Sequence, residues 1–219
     1  MSISAQLVKD LRERTGAGMM ECKNALVETN GDMEAAIEQM RKRGLAKADK
    51  KAGRVAAEGA VIAALSADQK SGALIEINSE TDFVAAGDDF QEFAQKVSQQ
   101  VLAEAPADLD ALLTLPLAPG AGSIADEQKA LVARIGENIH VRRFVTYQTD
   151  TNTIYYYLHG SRIGVMLELQ GGDESLGRDL CMHVAASRPI CVAAEDVAEE
   201  QVAKEREILI AQAQDSGKP

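Results

Sequence analysis

The apolar residues change their period once, near Gly53-Arg54, and that change constrains the fold more than any other feature of the chain. Before it, three groups recur at helical spacing: Leu7, Val8 and Leu11, then Met19, Cys22, Ala25 and Leu26, then Met33, Ile37 and Met40. After it, Val61, Ala63 and Leu65 alternate as in a strand, Asp68 to Gly72 breaks the pattern, and Leu74-Ile75-Glu76-Ile77 resumes it, as in a hairpin with a longer loop. Charge shifts at the same place. Residues 1–58 carry 11 Lys/Arg against 9 Asp/Glu, and the remainder carries 12 against 25. A near-neutral helical head therefore precedes an acidic body.

Within the head, Gly16-Ala17-Gly18 supplies the backbone freedom to end one helix and open another, Asn30-Gly31 makes the next turn, and Asp32 is a good N-cap for a third helix running to about Arg43. Three short amphipathic helices can bury their stripes only against each other. Seven basic residues follow closely, Arg41, Lys42, Arg43, Lys47, Lys50, Lys51 and Arg54, which read as a solvated linker or as a nucleic-acid patch.

In the body, Phe90, Phe93, Ala94, Val97 and Val101 fall on one helical face that packs on the preceding strands. Ala105 to Gly122 reads as a connector, and Ser123 as the cap of a helix through Ala130, Leu131 and Ile135. The strand-and-helix order then recurs, with strands over Val141 to Tyr147 and Ile154 to Leu158 around Thr149-Asp150-Thr151-Asn152, another over Arg162 to Leu169, and a helix from about Leu176 to Ala186. Gly72-Ala73-Leu74-Ile75-Glu76-Ile77 aligns with Ile163-Gly164-Val165-Met166-Leu167-Glu168-Leu169, which predicts two copies of one α+β unit. From Ala198 onward Val202, Leu209 and Ala213 form a narrow seam, spaced like one strand of a coiled coil and expected to project or to be poorly ordered.

The residue inventory weighs against covalent chemistry. Cys22, Cys181 and Cys191 form neither a disulfide framework nor a zinc knuckle, and His140, His159 and His183 lie far apart without ligand spacing. Gly16-Ala17-Gly18 is too short for a dinucleotide fingerprint and no GxxxxGK[ST] occurs, so the chain is expected to hold no nucleotide, metal or other cofactor itself. Asp88-Asp89 and Glu199-Glu200 are adjacent acids that diverge on a helix. A net charge of -11 argues against broad phosphate binding and for a protein partner over a nucleic acid. No apolar run approaches the roughly 18 residues of a membrane span, and Met1-Ser2-Ile3-Ser4-Ala5 lacks the features of a signal peptide, so a soluble, cytoplasmic protein is expected.

Two segments carry a family resemblance. Leu11-Arg12-Glu13-Arg14-Thr15-Gly16-Ala17-Gly18-Met19-Met20-Glu21-Cys22-Lys23-Asn24-Ala25-Leu26 and Glu76-Ile77-Asn78-Ser79-Glu80-Thr81-Asp82-Phe83-Val84-Ala85-Ala86 resemble the two signatures of the bacterial elongation factor Ts family, in the same order and at the expected distance. The likeness continues through Ile135-Gly136-Glu137-Asn138-Ile139, His159-Gly160-Ser161-Arg162-Ile163-Gly164 and Met182-His183-Val184-Ala185-Ala186-Ser187-Arg188-Pro189. Ala86 departs from it, since the family usually carries a basic or polar residue there.

The resemblance implies a guanine-nucleotide exchange factor, not an enzyme, that binds elongation factor Tu in its GDP-bound and nucleotide-free states. It further implies that Thr81, Asp82, Phe83 and Val84 enter near the partner's magnesium and phosphate site and displace Mg²⁺, and that Arg12, Met19, Met20 and His159 contact the partner. The expected fold is α+β. Residues 1–54 form a three-helix, UBA-like module with its basic linker, 55–138 and 139–197 the two halves of a duplicated core, and 198–219 the first helix of a coiled-coil arm. Long members of the family continue with a returning helix and a C-terminal module, so the chain reads as C-terminally truncated. The alternatives are a non-exchange protein-binding module whose basic linker touches RNA and, further off, a small-molecule enzyme.

Overall fold

The structure, a computed structural model, describes residues 3–217, except for the side chains of Leu45 and Lys47. Met1, Ser2, Lys218 and Pro219, which lie at the ends of the expected outer segments, are outside the described residues, as is the side chain of Lys47 in the basic stretch.

The head is three helices. Ser4 caps α1 (Ala5–Thr15) by accepting from the Leu7 amide, and Gly16 turns the chain out of it at φ 67°. α2 (Met19–Glu28) and α3 (Met33–Lys51) follow, with Asp32 capping α3 as expected. Val8, Leu11, Cys22, Ala25, Leu26 and Ala36 form a small buried core. Met19, expected in that stripe, is 60% exposed. It is the first residue of α2 and stands outside the core that Cys22, Ala25 and Leu26 fill.

α3 does not end near Arg43, and the basic stretch is not a linker. The helix runs on to Lys51 because Ala, Lys and Arg are strong helix formers and no proline interrupts them. Its second half docks on the body. Gly44 allows a close approach there, since a Cβ at that position would lie 2.9 Å from the Ala133 side chain of α7 (Ile124–Ile135). Asp49 pairs with Lys129 at 3.2 Å, and the Lys51 ammonium donates to the Gly136 carbonyl at 2.6 Å, satisfying a carbonyl at the end of α7.

The body is mixed helix and antiparallel sheet, as an α+β fold requires. β1 (Glu58–Leu65) pairs with β2 (Ser71–Ser79), and β2 pairs on its other side with β3 (Ile139–Gln148). β4 (Thr153–His159) and β5 (Ile163–Leu169) make a separate two-stranded sheet. Ala60, Ile62 and Ala64 of β1 face the main core under α5 (Asp88–Glu104), with Phe90, Phe93, Ala94, Val97 and Val101 buried there. Val61, Ala63 and Leu65, whose alternation announced the strand, are half-buried on the opposite face. That face meets the second sheet, where a Cβ on Gly164 would lie 2.5 Å from Val61. Beyond the second sheet α8 (Glu174–Ser187) buries Cys181.

The duplicated units are thus β1-β2-α5 and β4-β5-α8, and the strand between them belongs to the first sheet. The expected second half, 139–197, opens with β3, yet β3 bonds to β2. Thr149-Asp150-Thr151-Asn152 looks like a hairpin turn but crosses between sheets, with the Thr149 and Ile154 amides donating to the Lys70 and Gln69 carbonyls at 2.9 Å each. Residues 105–122 also differ from the expected connector. They hold α6 (Leu109–Thr114), with Leu112 wholly buried and Leu117 buried in the main core. Six helical residues are too few to show a period.

α9 (Glu199–Asp215) is helical with every residue exposed. Among the described residues no helix is long and apolar enough to cross a membrane.

Candidate partner interface

β2 ends at Ser79, and the chain then makes one very short helix, α4 (Asp82–Ala86). Five residues cannot sustain a helix alone, because nucleation is costly and few hydrogen bonds follow. Support comes from outside. Thr81 is the N-cap, its hydroxyl accepting from the Val84 amide at 3.3 Å while donating to the Glu137 carboxylate at 2.9 Å. The Thr81 amide donates to the same carboxylate at 3.0 Å, and the Thr81 carbonyl accepts from the Ser79 hydroxyl at 2.8 Å. At the other end the Gln91 side-chain amide donates to the Ala85 carbonyl at 2.6 Å. Hydrogen bonds to a charged group contribute roughly 1.5–3 kcal/mol each, more than neutral ones.

The four residues Thr81 to Val84 thereby divide. Thr81 is held in this network, and Val84 packs against the main core beside buried Ala85. Asp82 and Phe83 point away. Phe83 is 85% exposed, and among the described residues the Asp82 carboxylate makes no hydrogen bond or ion pair. An aromatic ring left in water on a braced element is the reverse of ordinary core packing.

Arg12 lies on α1 and Met19 and Met20 open α2, all three exposed, so the head presents them about the α1–α2 turn. Met20 is 63% exposed, and Arg12 makes no side-chain hydrogen bond or ion pair among the described residues. His159 ends β4, exposed, with its Nδ1 3.0 Å from the Tyr157 hydroxyl. No hydrogen bond or ion pair among the described residues joins these head and strand residues to Asp82 or Phe83. They are separate points on one framework.

The geometry adds residues that the sequence left without a role. Glu80 accepts from the Asn138 amide at 2.6 Å, and the Asn138 side chain donates to the Arg54 and Ala52 carbonyls at 2.7 and 3.3 Å. Arg54 lies 3.5 Å from Glu80. The signal was present, since Glu80, Glu137 and Asn138 fall inside the segments that carry the family resemblance. Strand β2 is braced as well. Burial pushes the Glu76 carboxyl up, but hydrogen bonding to Arg143 and the charges of Arg143 and Arg142 outweigh it and hold the group below the ordinary carboxylate value.

No three His, Cys, Asp or Glu side chains among the described residues are grouped to hold a metal. Burial pushes the Cys181 thiol up, away from the thiolate form that a nucleophile needs.

The family model described as elongation factor TS matches residues 80–219. Elongation factor Ts of Alkalilimnicola ehrlichii is 61% identical over 219 residues, covering 100% of this chain and 74% of that protein. The chain belongs to the elongation factor Ts family. The elongation factor Ts proteins of Halorhodospira halophila and Hydrogenovibrio crunogenus, 60% and 51% identical, are matched over the same shares of each chain. Membership makes the chain a translation elongation factor acting in protein biosynthesis, with the nucleotide-exchange role that follows from the elongation factor Ts family. The relatives' similarity extends through the head, which the family model does not reach.

Proposed function

We propose that the chain binds elongation factor Tu and speeds GDP release by bringing Asp82 and Phe83 against the partner's magnesium and phosphate site. The observation that carries this reading is the 85% exposure of Phe83 on a helix braced at both ends. A buried aromatic anchor supplies much of the binding energy at such contacts, and a carboxylate beside a Mg²⁺ network competes for its waters and hydrogen bonds. Asp82 need not become a ligand. Thr81 and Val84 serve by holding that pair, and no bond in GDP is broken.

Exchange of this kind is a coupling between two binding equilibria. The factor favours a partner conformation that holds nucleotide poorly, and reciprocity requires that nucleotide weaken the factor's own binding equally. Arg12, Met19 and Met20 on the head and His159 at the end of β4 dock the partner around that tip. Residues 1–54 act as the docking module, 55–138 and 139–197 as the rigid core, and 198–219 as the start of an arm. The chain works in the cytoplasm, where translation proceeds.

The alternative of an RNA-contacting linker is weakened by where the basic groups go. Arg43 pairs with Glu28, Lys42 with Glu38, Arg54 with Glu80, and Lys51 with the Gly136 carbonyl, which leaves fewer cations for phosphates.

Stopped-flow release of fluorescent GDP from elongation factor Tu tests the reading. The chain should accelerate release, and Phe83→Ala and Asp82→Ala should each lose most of that acceleration, on the order of 30-fold for about 2 kcal/mol, with the fold intact by circular dichroism. Undiminished activity in the double variant would sink the mechanism.

A further inference from the structure

We infer that Glu137, Glu80 and Asn138 are positioning residues for exchange, forming a reciprocal latch that sets where Asp82 and Phe83 stand. The inference rests on the exchange reading above and adds residues which that reading does not use.

Two chain segments face each other, and each offers a carboxylate to the other's backbone. Glu137 accepts from the Thr81 amide at 3.0 Å and from its hydroxyl at 2.9 Å, while Glu80 accepts from the Asn138 amide at 2.6 Å. The hydroxyl has one proton to give. Because it goes to Glu137, the oxygen's lone pairs are left for the Val84 amide, so the same carboxylate that anchors Thr81 also orients it as the cap of α4. Ser79 takes up the Thr81 carbonyl. Every polar atom of Thr81 is thereby engaged, and the residue next to it is the free Asp82.

A freely moving tip would have to be ordered on entering the partner, at an entropic cost for each backbone residue fixed. The latch removes that cost before the encounter. It also reaches the head, because the Asn138 side chain holds the Ala52 and Arg54 carbonyls just beyond α3. One node thus fixes the tip relative to the module carrying Arg12, Met19 and Met20.

The experiment compares wild type, Glu137→Ala, Glu137→Gln, Phe83→Ala and Glu137→Ala/Phe83→Ala in release of fluorescent GDP from elongation factor Tu, with the factor concentration varied. Glu137→Ala should lower the maximal release rate roughly tenfold, the equivalent of fixing about one residue, while the half-saturating concentration changes little. Glu137→Gln, which keeps an acceptor, should recover part of the rate. In the Phe83→Ala background the Glu137→Ala effect should shrink, because the latch then has only Asp82 left to place. A merely structural glutamate would give the same loss in both backgrounds, and that additivity would overturn the inference. So would a Glu137→Ala variant as fast as wild type while Phe83→Ala is slow. If the wild type itself fails to accelerate release, the exchange reading falls and the latch with it. Circular dichroism melting of each variant identifies one that has failed to fold, for which Glu80→Gln, removing the charge that receives the Asn138 amide, replaces it with the same double-variant comparison.

Discussion

α4 and α9 both hold large apolar side chains in water, and they do so for opposite structural reasons. Phe83 on α4 is 85% exposed, while Val202, Leu209 and Ile210 on α9 are 47%, 55% and 51% exposed. α4 is capped by Thr81, tied to Glu137 and Gln91, and seated on the core through Val84 and Ala85. α9 has no buried residue at all, and Ile208 and Ile210 broaden the narrow seam of Val202, Leu209 and Ala213 expected from the sequence. Under the exchange proposal, exposure is not enough by itself. An exposed ring can serve as a wedge when the backbone beneath it is held, because its position then needs no further ordering on contact.

Hydrogen exchange should show the largest contrast. Amides of β2 and α5, inside the main core, should exchange only on global unfolding, several orders of magnitude slower than those of α9, which should lie near unprotected rates in the isolated chain. Slow exchange across α9 would break the comparison. Next in size is Val84→Ala against Phe83→Ala. Removing two methyl groups from the packed side of α4 should cost about 1–2 kcal/mol of stability in thermal or urea melts, whereas removing the exposed ring should change stability by under about 0.5 kcal/mol.

Acid should loosen the strand that leads to α4 more than it affects α9. Glu76 is held below the ordinary carboxylate value in the fold, so the folded state binds that proton less readily than the unfolded chain. Its contribution is full above the unfolded value and is lost as pH falls through the lower, folded one. Arg143 and Arg142 are largely exposed, so solvent screening keeps the effect under about 1 kcal/mol. Melting temperature should drop on acidification by slightly more in wild type than in Glu76→Gln, and an equal drop would remove Glu76 from the account. Smallest of all, Leu209→Ser on α9 should leave the melt of the isolated chain unchanged within about 0.5 kcal/mol, since α9 has no buried residue and Leu209 is already 55% exposed.

Local patterns were legible where one residue type serves one neighbour. Asp32 and Ser123 are helix caps as read, because a short polar side chain meets an amide only three residues on. The face of α5 carrying Phe90, Phe93, Ala94, Val97 and Val101 is buried as its spacing predicts. The basic stretch was misread because charge marks solvent contact and says little about backbone, so a helix docked through Gly44 and Ala48 looked like a linker. The phase of β1 was not decidable, since its two faces are both covered, one by α5 and the other by the second sheet.

By itself the sequence determined the order of the elements, the helical head before an α+β body, and, through two matched segments, the family. Those are local properties, set by spacing within a turn of helix or a few residues of strand. Tertiary structure alone decided that β3 joins β2, that α3 reaches the body, and that Thr81 and Val84 are held while Asp82 and Phe83 stand free. Each depends on partners far along the chain, Glu137 being 56 residues from Thr81, and no pattern within either segment names the other.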